Sequence, residues 1–551
     1  MATQFRDTQL GRLTRFLSSR RVLQYPDEVD PSVWKLAVQQ NGASEGSKSN
    51  LDSELEAASE QADYPDKGNG NIHLVEWYGA ADPENPQNFS SSWKVLIVGQ
   101  ICLMNLAFYI ASSIYTPGEL SMMGDFGVSE TVATLGLSVF SLGYGFGGML
   151  WSPLAEMPKI GRNDIYFFTM LGFVLLQLPT GYAVNTPMFL MFRFLAGFVG
   201  SPALAVGGAT IADMYQPAQL AYGITLYAAF GICGPVFGPM LGGFAAQAHG
   251  WRLTIWIIAW LGGFTVVVLF FLMPETSAAT ILYQRAKRLR QATGLEHLRS
   301  QSEIDAENYT GKDHRAALTR AFTVTFFEPI VFALDLYTAL LYGVLFTWFE
   351  SFPLVFGSIY HFDLGQQGLV FLGIFVGTLV ALPLSLCWNH YRIVPRFTKP
   401  TFQPEELLPI TFVGAICLPI CLFWYGWSAR ASVHFMVPVV GSSLFGVALL
   451  TLFPPVLNYL GIAYPKYVAS VFAGNGLFRA TFGAVFPLFV SLSTGLMDQT
   501  VKTDQASGPS TVRKSRYRTR ELAARGHLDL LHAIALHFLE GLLSARTLPR
   551  L

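Results

Sequence analysis

Long apolar runs begin abruptly at Trp93 and recur, with short polar breaks, as far as Leu492. A membrane-spanning helix needs about 20 apolar residues. Eleven runs meet that length, at 93–114, 131–154, 165–184, 187–210, 219–245, 252–273, 329–350, 368–388, 407–428, 433–457 and 467–492. A polar, basic stretch parts the sixth from the seventh. The pattern therefore predicts a polar tail over 1–92, a six-helix half over 93–273, a loop over 274–328, a second half over 329–492 with five clear helices, and a basic tail over 493–551.

Residues 1–92 lack long apolar runs and concentrate acids between Asp52 and Asp66, the composition of a disordered tail. Leu10 to Leu23 reads as a short basic amphipathic helix carrying Arg12, Arg15, Arg20 and Arg21. A solvated tail is the preferred reading there, over a contact with the membrane surface. No apolar core follows the early charges, so no signal peptide is expected and the first span serves as its own signal.

Charge orients the helices. One set of loops holds Lys159 and Arg162, then Arg285, Lys287, Arg288, Arg290, Lys312, Arg315 and Arg320, then Arg392, Arg396, Lys399 and Lys466. The alternate set holds little beyond Arg252 and Arg430. The positive-inside rule makes the first set cytoplasmic, and the N-terminus with it. The sequons at Asn88 and Asn308 fall on that side and are expected to stay unused.

Composition narrows the class. Read as soluble, 551 residues would make roughly three or four domains. Yet 52% of residues are hydrophobic, only 13% are charged, and the mean hydropathy is +0.39; soluble chains carry roughly 25% charge. A formal net charge of −1 offers no field for a polyanion, so nucleic acid is excluded as a partner. Each of the five cysteines lies in an apolar run, which suits a small buried hydrophobe and not a disulfide framework. No Gly-x4-Gly-Lys-Ser/Thr loop and no His-Glu-x2-His spacing occurs. Cys417 and Cys421 share a helix face without further ligands. No cofactor, no metal and no enzymatic activity are expected; the bilayer is the solvent.

The halves repeat. Leu142-Gly143-x3-Gly147-x5-Pro153-Leu154 recurs 230 residues later as Leu372-Gly373-x3-Gly377-x5-Pro383-Leu384, in the second helix of each half. Parallel repeats about an axis along the membrane normal are one plan of secondary transporters. The most specific run is in the fifth helix: Gly231, Gly234-Pro235, Gly238-Pro239 and Gly242-Gly243. Glycines three and four apart leave one face bare for close helix approach, and the prolines bend the helix. Such a helix suits a pivot or gasket between halves.

These runs resemble motifs of the major facilitator superfamily. The fifth-helix run resembles its antiporter motif. Gly148-x3-Ser152-Pro153-Leu154-Ala155-Glu156-x4-Gly161-Arg162-Asn163 resembles its loop motif in fungal form, and Arg193-Phe194-Leu195-x-Gly197-x2-Gly200-Ser201-Pro202 its fourth-helix motif. Pro274-Glu275-Thr276, the run from Tyr337 to Pro353, and Ala473-Gly474-Asn475-x2-Phe478-Arg479 resemble fungal drug:proton antiporters of twelve spans, over about residues 75–488. The resemblance implies an all-α membrane protein with two six-helix halves. The end departs from it. After Phe489 the chain turns basic, and its only later apolar stretch, Leu528 to Leu543, contains Asp529, His532, His537 and Glu540. The twelfth helix is thus read as missing or replaced, as an aberrant splice or a truncated paralogue would give.

Candidate chemistry follows. Arg193, within the fourth helix, is read as a cation facing the central cavity, against a snorkelling alternative; the resemblance implies a part in proton coupling. Glu350, among Trp348, Phe349 and Phe352, is the leading titrating carboxylate, against a solvated helix end; Asp213 and Asp335 are weaker candidates. Glu156 and Arg162 are read as a conformational latch, with Gly161 in the same loop. Asn105, Tyr109, Tyr337, Tyr342 and Trp348, and also Phe230, are expected to line a cavity for flat apolar or cationic molecules. The expectation is a monomeric, proton-coupled exporter of drugs, toxins or metabolites in the plasma membrane. A proton-coupled importer of a nutrient or polyamine, or a non-transporting receptor or scaffold, are the alternatives.

Overall fold

A computed structural model of the chain describes residues 2–19, 21–29, 73–295, 297–308, 323–397, 399, 402–464 and 468–505. Among them, eleven helices are long and apolar enough to cross a membrane. They are spans 1 to 11: Ser91–Phe126, Glu130–Glu156, Gly161–Gly181, Thr186–Met214, Ala218–His249, Trp251–Leu272, Pro329–Gly357, Leu364–Phe397, Pro404–Ser428, Met436–Ala463 and Val471–Leu492. Each corresponds to a run read from the sequence. Span 4 is not one rod. It ends its first helix at Gly200 and restarts at Pro202, where proline removes a backbone donor and crowds the preceding turn, and it restarts once more at Gly207. The apolar stretch at 528–543 lies outside the described residues.

Two large apolar cores form, one centred in each half, and the second also takes in Tyr109, Ala228 and Val236 of the first half. Phe108, Phe140, Phe173 and Trp251 centre the first; Trp348, Phe352, Tyr425 and Phe445 the second. The repeated glycines have one job in both halves. A Cβ on Gly143 or Gly147 of span 2 would lie 2.3 or 2.2 Å from the carbonyl oxygen of Phe194 or Phe198 in span 4. On Gly373 of span 8 it would lie 2.8 Å from the Val439 oxygen of span 10, and on Gly377 it would collide with the Ser443 carbonyl. Each pair lets a second-position helix lie directly on the backbone of a fourth-position helix, where van der Waals packing replaces the absent hydrophobic drive.

The segment read as a disordered tail contains ordered structure, on the face read above as cytoplasmic and called the N-terminal face below. Helices α1 (Ala2–Arg6), α2 (Gln9–Leu17) and α3 (Pro26–Val29) pack there with α4 (Ala278–Thr293) of the central loop. Strand β1 (His73–Leu74) runs parallel to β2 (Leu298–Arg299). Arg285, fully buried, binds Asp82 at 2.8 Å and Glu84 at 2.9 Å. Arg6 and Arg288 also reach Glu84, at 3.0 and 3.2 Å. The Tyr25 ring lies under the guanidinium groups of Arg6 and Arg288, at 3.7 and 3.4 Å. Asp27, Asp82 and Glu84 of this segment are counter-ions of the loop arginines, while the acid-rich stretch from Asp52 to Asp66 lies outside the described residues. Helix α2 is likewise not a free amphipathic helix: Arg12 binds Asp164 at 2.7 Å at the start of span 3.

Candidate functional site

Where the two halves meet, a cavity opens toward the N-terminal face. Spans 1, 2, 4 and 5 contribute Asn105, Tyr109, Tyr144, Gly145, Gly148, Ser201, Leu204, Ala205, Gly208, Ile224, Tyr227, Ala228 and Gly231. Spans 7, 10 and 11 contribute Tyr342, Phe453, Leu457, Phe472, Ala473, Gly476 and Arg479. Aromatic rings form the walls and glycines make room between them. A flat apolar body would gain area burial and ring contacts here.

Of the six cavity residues expected, Asn105, Tyr109 and Tyr342 are in the lining. Trp348 is not: it is buried in an aromatic cluster within the second half, 4.6 Å from the Tyr425 ring and 5.0 Å from Phe352. Tyr337 packs against that second core and is outside the lining, and Phe230 is partly exposed. Helical period explains the two misses on span 7. Tyr342 lies seven residues after Asp335 on one face of span 7, whereas Tyr337 and Trp348 turn elsewhere.

A polar network closes the inner end of the cavity. The Tyr109 and Tyr342 hydroxyls, one from each half, are 2.8 Å apart. Arg479 donates to the Tyr109 hydroxyl at 3.2 Å and lies 4.6 Å over both the Tyr342 and Phe453 rings. Its Nε donates to Asn475 Oδ1 at 2.9 Å. Asn475 in turn donates to Asp335 Oδ1 at 2.9 Å. Asn475 and Arg479 stand in the eleventh-helix run quoted above but were given no role. The missed signal was an arginine about twelve residues into an apolar span, and an ionisable group at that depth is functional by default.

Arg193 is placed differently from the expectation. It is fully buried, so it does not snorkel, and it is absent from the cavity lining. Its guanidinium donates to the carbonyl oxygens of Ala111 at 3.0 Å, Ser112 at 3.5 Å and Gly136 at 3.2 Å, and lies 4.5 Å over the Phe140 ring. Ala111 and Ser112 belong to the last turn of the first helix, Ser91–Ser113. That turn carries unpaired carbonyls and the negative end of the helix dipole. Arg193 is thereby a cap joining spans 1, 2 and 4.

The loop after span 2 also corrects the proposed latch. Arg162 forms its ion pair with Asp213 of span 4 at 3.1 Å, while Glu156 is solvent-exposed and stays within electrostatic reach of Arg162 without an ion pair to it. Asp213, placed among the proton-coupling candidates, is thus the arginine's counter-ion. Gly161 has φ +83°, and a Cβ there would meet the Glu275 carboxylate. Glu275 accepts from the backbone N–H groups of Arg162, Asn163, Thr276 and Ser277 at 3.1, 3.2, 2.9 and 2.8 Å. It caps the start of span 3 from the end of span 6. Burial raises its carboxyl above the ordinary range, with Arg12 and the N–H groups opposing. Glu350, at the far end of span 7, is half-buried and outside the cavity, within electrostatic reach of Glu130 and Glu119. Sequence reasoning overlooked Glu119, which is buried and accepts from Thr134 at 3.1 Å.

The glycine–proline run serves two contacts. Gly231, Gly234, Gly238 and Gly242 face span 1 within the same half: Cβ atoms there would meet Asn105, Tyr109, Ser113 and Ile114. Pro235 and Pro239 sit inside the continuous helix Pro217–His249. Gly243 faces the other half, where a Cβ would lie 2.3 Å from the Leu364 oxygen of span 8. Span 8 reciprocates, with Gly368 against the Pro239 carbonyl at 2.5 Å. This seam lies on the face opposite the cavity mouth. Among the described residues no cluster of three or more His, Cys, Asp or Glu could hold a metal.

Known proteins agree with this architecture. Residues 101–487 match the family described as Major Facilitator Superfamily. The chain is 40% identical over 419 residues to Transporter mfs1 of Schizosaccharomyces pombe, covering 76% of this chain and 79% of that one. It is 40% identical over 420 residues to Fluconazole resistance protein 1 of Saccharomyces cerevisiae, covering 75% and 76%. It is 39% identical over 417 residues to Multidrug transporter FLR1 of Candida glabrata, covering 76% and 74%. Among solved structures, a bacterial homologue of the human lysosomal transporter Spinster superposes with a TM-score of 0.54 at 15% identity, covering 82% of this chain and 97% of that one. The Escherichia coli xylose transporter XylE gives 0.53 at 14%, covering 81% and 99%; at such identities these two speak for the fold alone. By sequence over most of its length and by its paired helical halves, the chain belongs to the Major Facilitator Superfamily and is a multi-pass membrane transporter, not an enzyme.

Proposed function

We propose that the protein exports apolar and cationic small molecules across the plasma membrane, coupled to proton entry. The observation that carries this reading is the cavity: tyrosine and phenylalanine walls, glycine gaps and one arginine, with the Tyr109, Tyr342 and Tyr227 hydroxyls already bonded within the protein. Such a lining selects by area and π contact, which suits dissimilar flat substrates better than one hydroxyl-rich nutrient. The names of the relatives, a fluconazole resistance protein and multidrug transporters, support export. The antiporter-like run in span 5 supports proton-driven export over the alternative of a proton-coupled importer.

The cycle follows from alternating access. In the conformation described, the spans 5 and 8 seam is shut on one face and the cavity opens on the other, read as cytoplasmic. Substrate enters from the cytoplasm or inner leaflet, the halves rock about the shared helices, and protons moving inward reset the cycle.

Everted membrane vesicles with an imposed pH gradient test this. A fluorescent drug should accumulate when the gradient is present and fail to accumulate after a protonophore. Transport that survives the protonophore and stops on ATP depletion would sink the reading.

A further inference from the structure

Asp335 lies on span 7 with no exposed surface. Its Oδ1 accepts one hydrogen bond, from Asn475, and its Oδ2 has no partner. Among the described residues no cation stands within ion-pair distance of it. An ionised carboxylate buried in this way is costly unless paired and fully hydrogen-bonded. Asn475, also fully buried, is held at both ends: its amide nitrogen donates to Asp335 Oδ1 and to Thr338 Oγ1 at 2.7 Å, and its oxygen accepts from Arg479. Arg479 ends this chain at the cavity wall, on Tyr109 and over Tyr342. The contacts therefore lead, without a gap, from an incompletely satisfied carboxylate to the surface a substrate would touch.

We propose that Asp335 carries the transported proton and that Asn475 and Arg479 convey its charge state to the cavity. The proposal rests on the proton-coupled export reading and adds a substrate rule to it. With Asp335 ionised, the carboxylate balances the Arg479 guanidinium through Asn475, and a cation in the cavity meets a nearly neutral site. A proton taken up on Oδ2 removes that balance. The charge-assisted bond from Asn475 weakens, and Arg479 stands as an uncompensated positive charge at the cavity wall. Proton and cationic substrate then exclude each other, which is the requirement for antiport; a neutral substrate feels the switch less. The proton moves from water on one face to Oδ2 and from Oδ2 to water on the other face, with no covalent step.

The groups around Asp335 leave it this role. Span 11 presents Arg479 and Asn475, span 1 Tyr109, span 2 Tyr144 acting on Arg479, and its own span Thr338 and Tyr342. Span 10 brings Phe453 over the arginine and Tyr459 into the cluster of Val331. Arg479 is the only cation in this set, and Asp335 the only acid.

The test uses the full chain in liposomes with ethidium, a flat lipophilic cation, as the probe. Wild-type protein should accumulate ethidium under a pH gradient, and its ethidium Kd should rise about tenfold per unit of acidification across the titration, as one proton exchanged for one cation requires. Asp335→Asn should lose gradient-driven accumulation and flatten the pH dependence of the Kd. Asp335→Glu, which keeps a carboxyl in altered geometry, should keep the slope and move its midpoint. An Asp335→Asn protein with a wild-type slope or wild-type accumulation overturns the proposal. If Asp335→Asn does not fold, an Asp335→Glu midpoint identical to wild type overturns it. A wild-type chain indifferent to the gradient refutes the export reading itself, and this inference with it.

Discussion

The seam between spans 5 and 8 permits a prediction with a magnitude. Replacing Gly243 by Ala puts a Cβ 2.3 Å from the Leu364 carbonyl oxygen, where ordinary contact begins near 3.4 Å. The helices must part by the difference, about 1 Å, because the obstacle is backbone and cannot rotate away. Overpacking of this kind costs roughly 1–3 kcal/mol. The cost falls on the conformation in which this face is shut, so the equilibrium should move toward the opposite-facing conformation by roughly 5- to 150-fold. Gly368→Ala, against Pro239, should act in the same direction. Gly99→Ala is the control, since nothing lies within 4 Å of a Cβ there. Spin labels at His249→Cys and Gln366→Cys, both exposed beside the seam, with the five native cysteines replaced, report its opening by double electron–electron resonance. The longer-distance population should grow in Gly243→Ala and in Gly368→Ala, and transport should slow. A Gly243→Ala distribution that superimposes on wild type, or a Gly99→Ala control that shifts as far, would refute the reasoning.

Three further outcomes are expected. Arg193→Ala should lower thermal stability and membrane level more than transport per molecule, and Arg193→Lys should rescue it only in part, since one ammonium cannot match a planar fork on carbonyls from two helices; full rescue by lysine would argue against the cap. Glu275→Ala leaves four buried N–H groups unpaired, each costing about 1–3 kcal/mol, and should melt well below wild type in a thermal-shift assay, with Glu275→Gln between the two. Burial raises the Asp82 carboxyl, but the bond and charge of Arg285 outweigh it and hold the group below the usual range. Its contribution is therefore fully present above the unfolded value of about 3.9 and lost as pH falls through the lower folded value; amide exchange should show residues 73–90 protected at pH 5 and 7 and released only in stronger acid, and release between pH 7 and 5 would contradict the pairing.

Much of this transporter was written locally in its chain. Eleven spans, the six-plus-five division and the repeated glycines follow from period, length and residue size, because a helix in lipid satisfies its own backbone and needs no distant partner to be recognised. Tyr109, Tyr342 and Asn105 were found because polar or aromatic residues on apolar spans stand out. Which residues share a site was decided elsewhere. Arg285 meets Asp82 across 203 positions, and Arg479 meets Tyr109 across 370; no local pattern encodes a pairing of that length. The ordered parts of the N-terminal segment read as disordered because Arg285 and Arg288, the partners of Asp82, Glu84 and Asp27, lay in another part of the chain. Arg193 read as a cavity cation because its three acceptors are carbonyls, which every residue carries and no sequence marks. Packing turned it inward to the end of span 1 and placed Arg479 at the cavity in its stead. A charge in a span shows from its surroundings in sequence, but what it faces depends on how the helices rotate against one another, and only the assembled bundle fixes that.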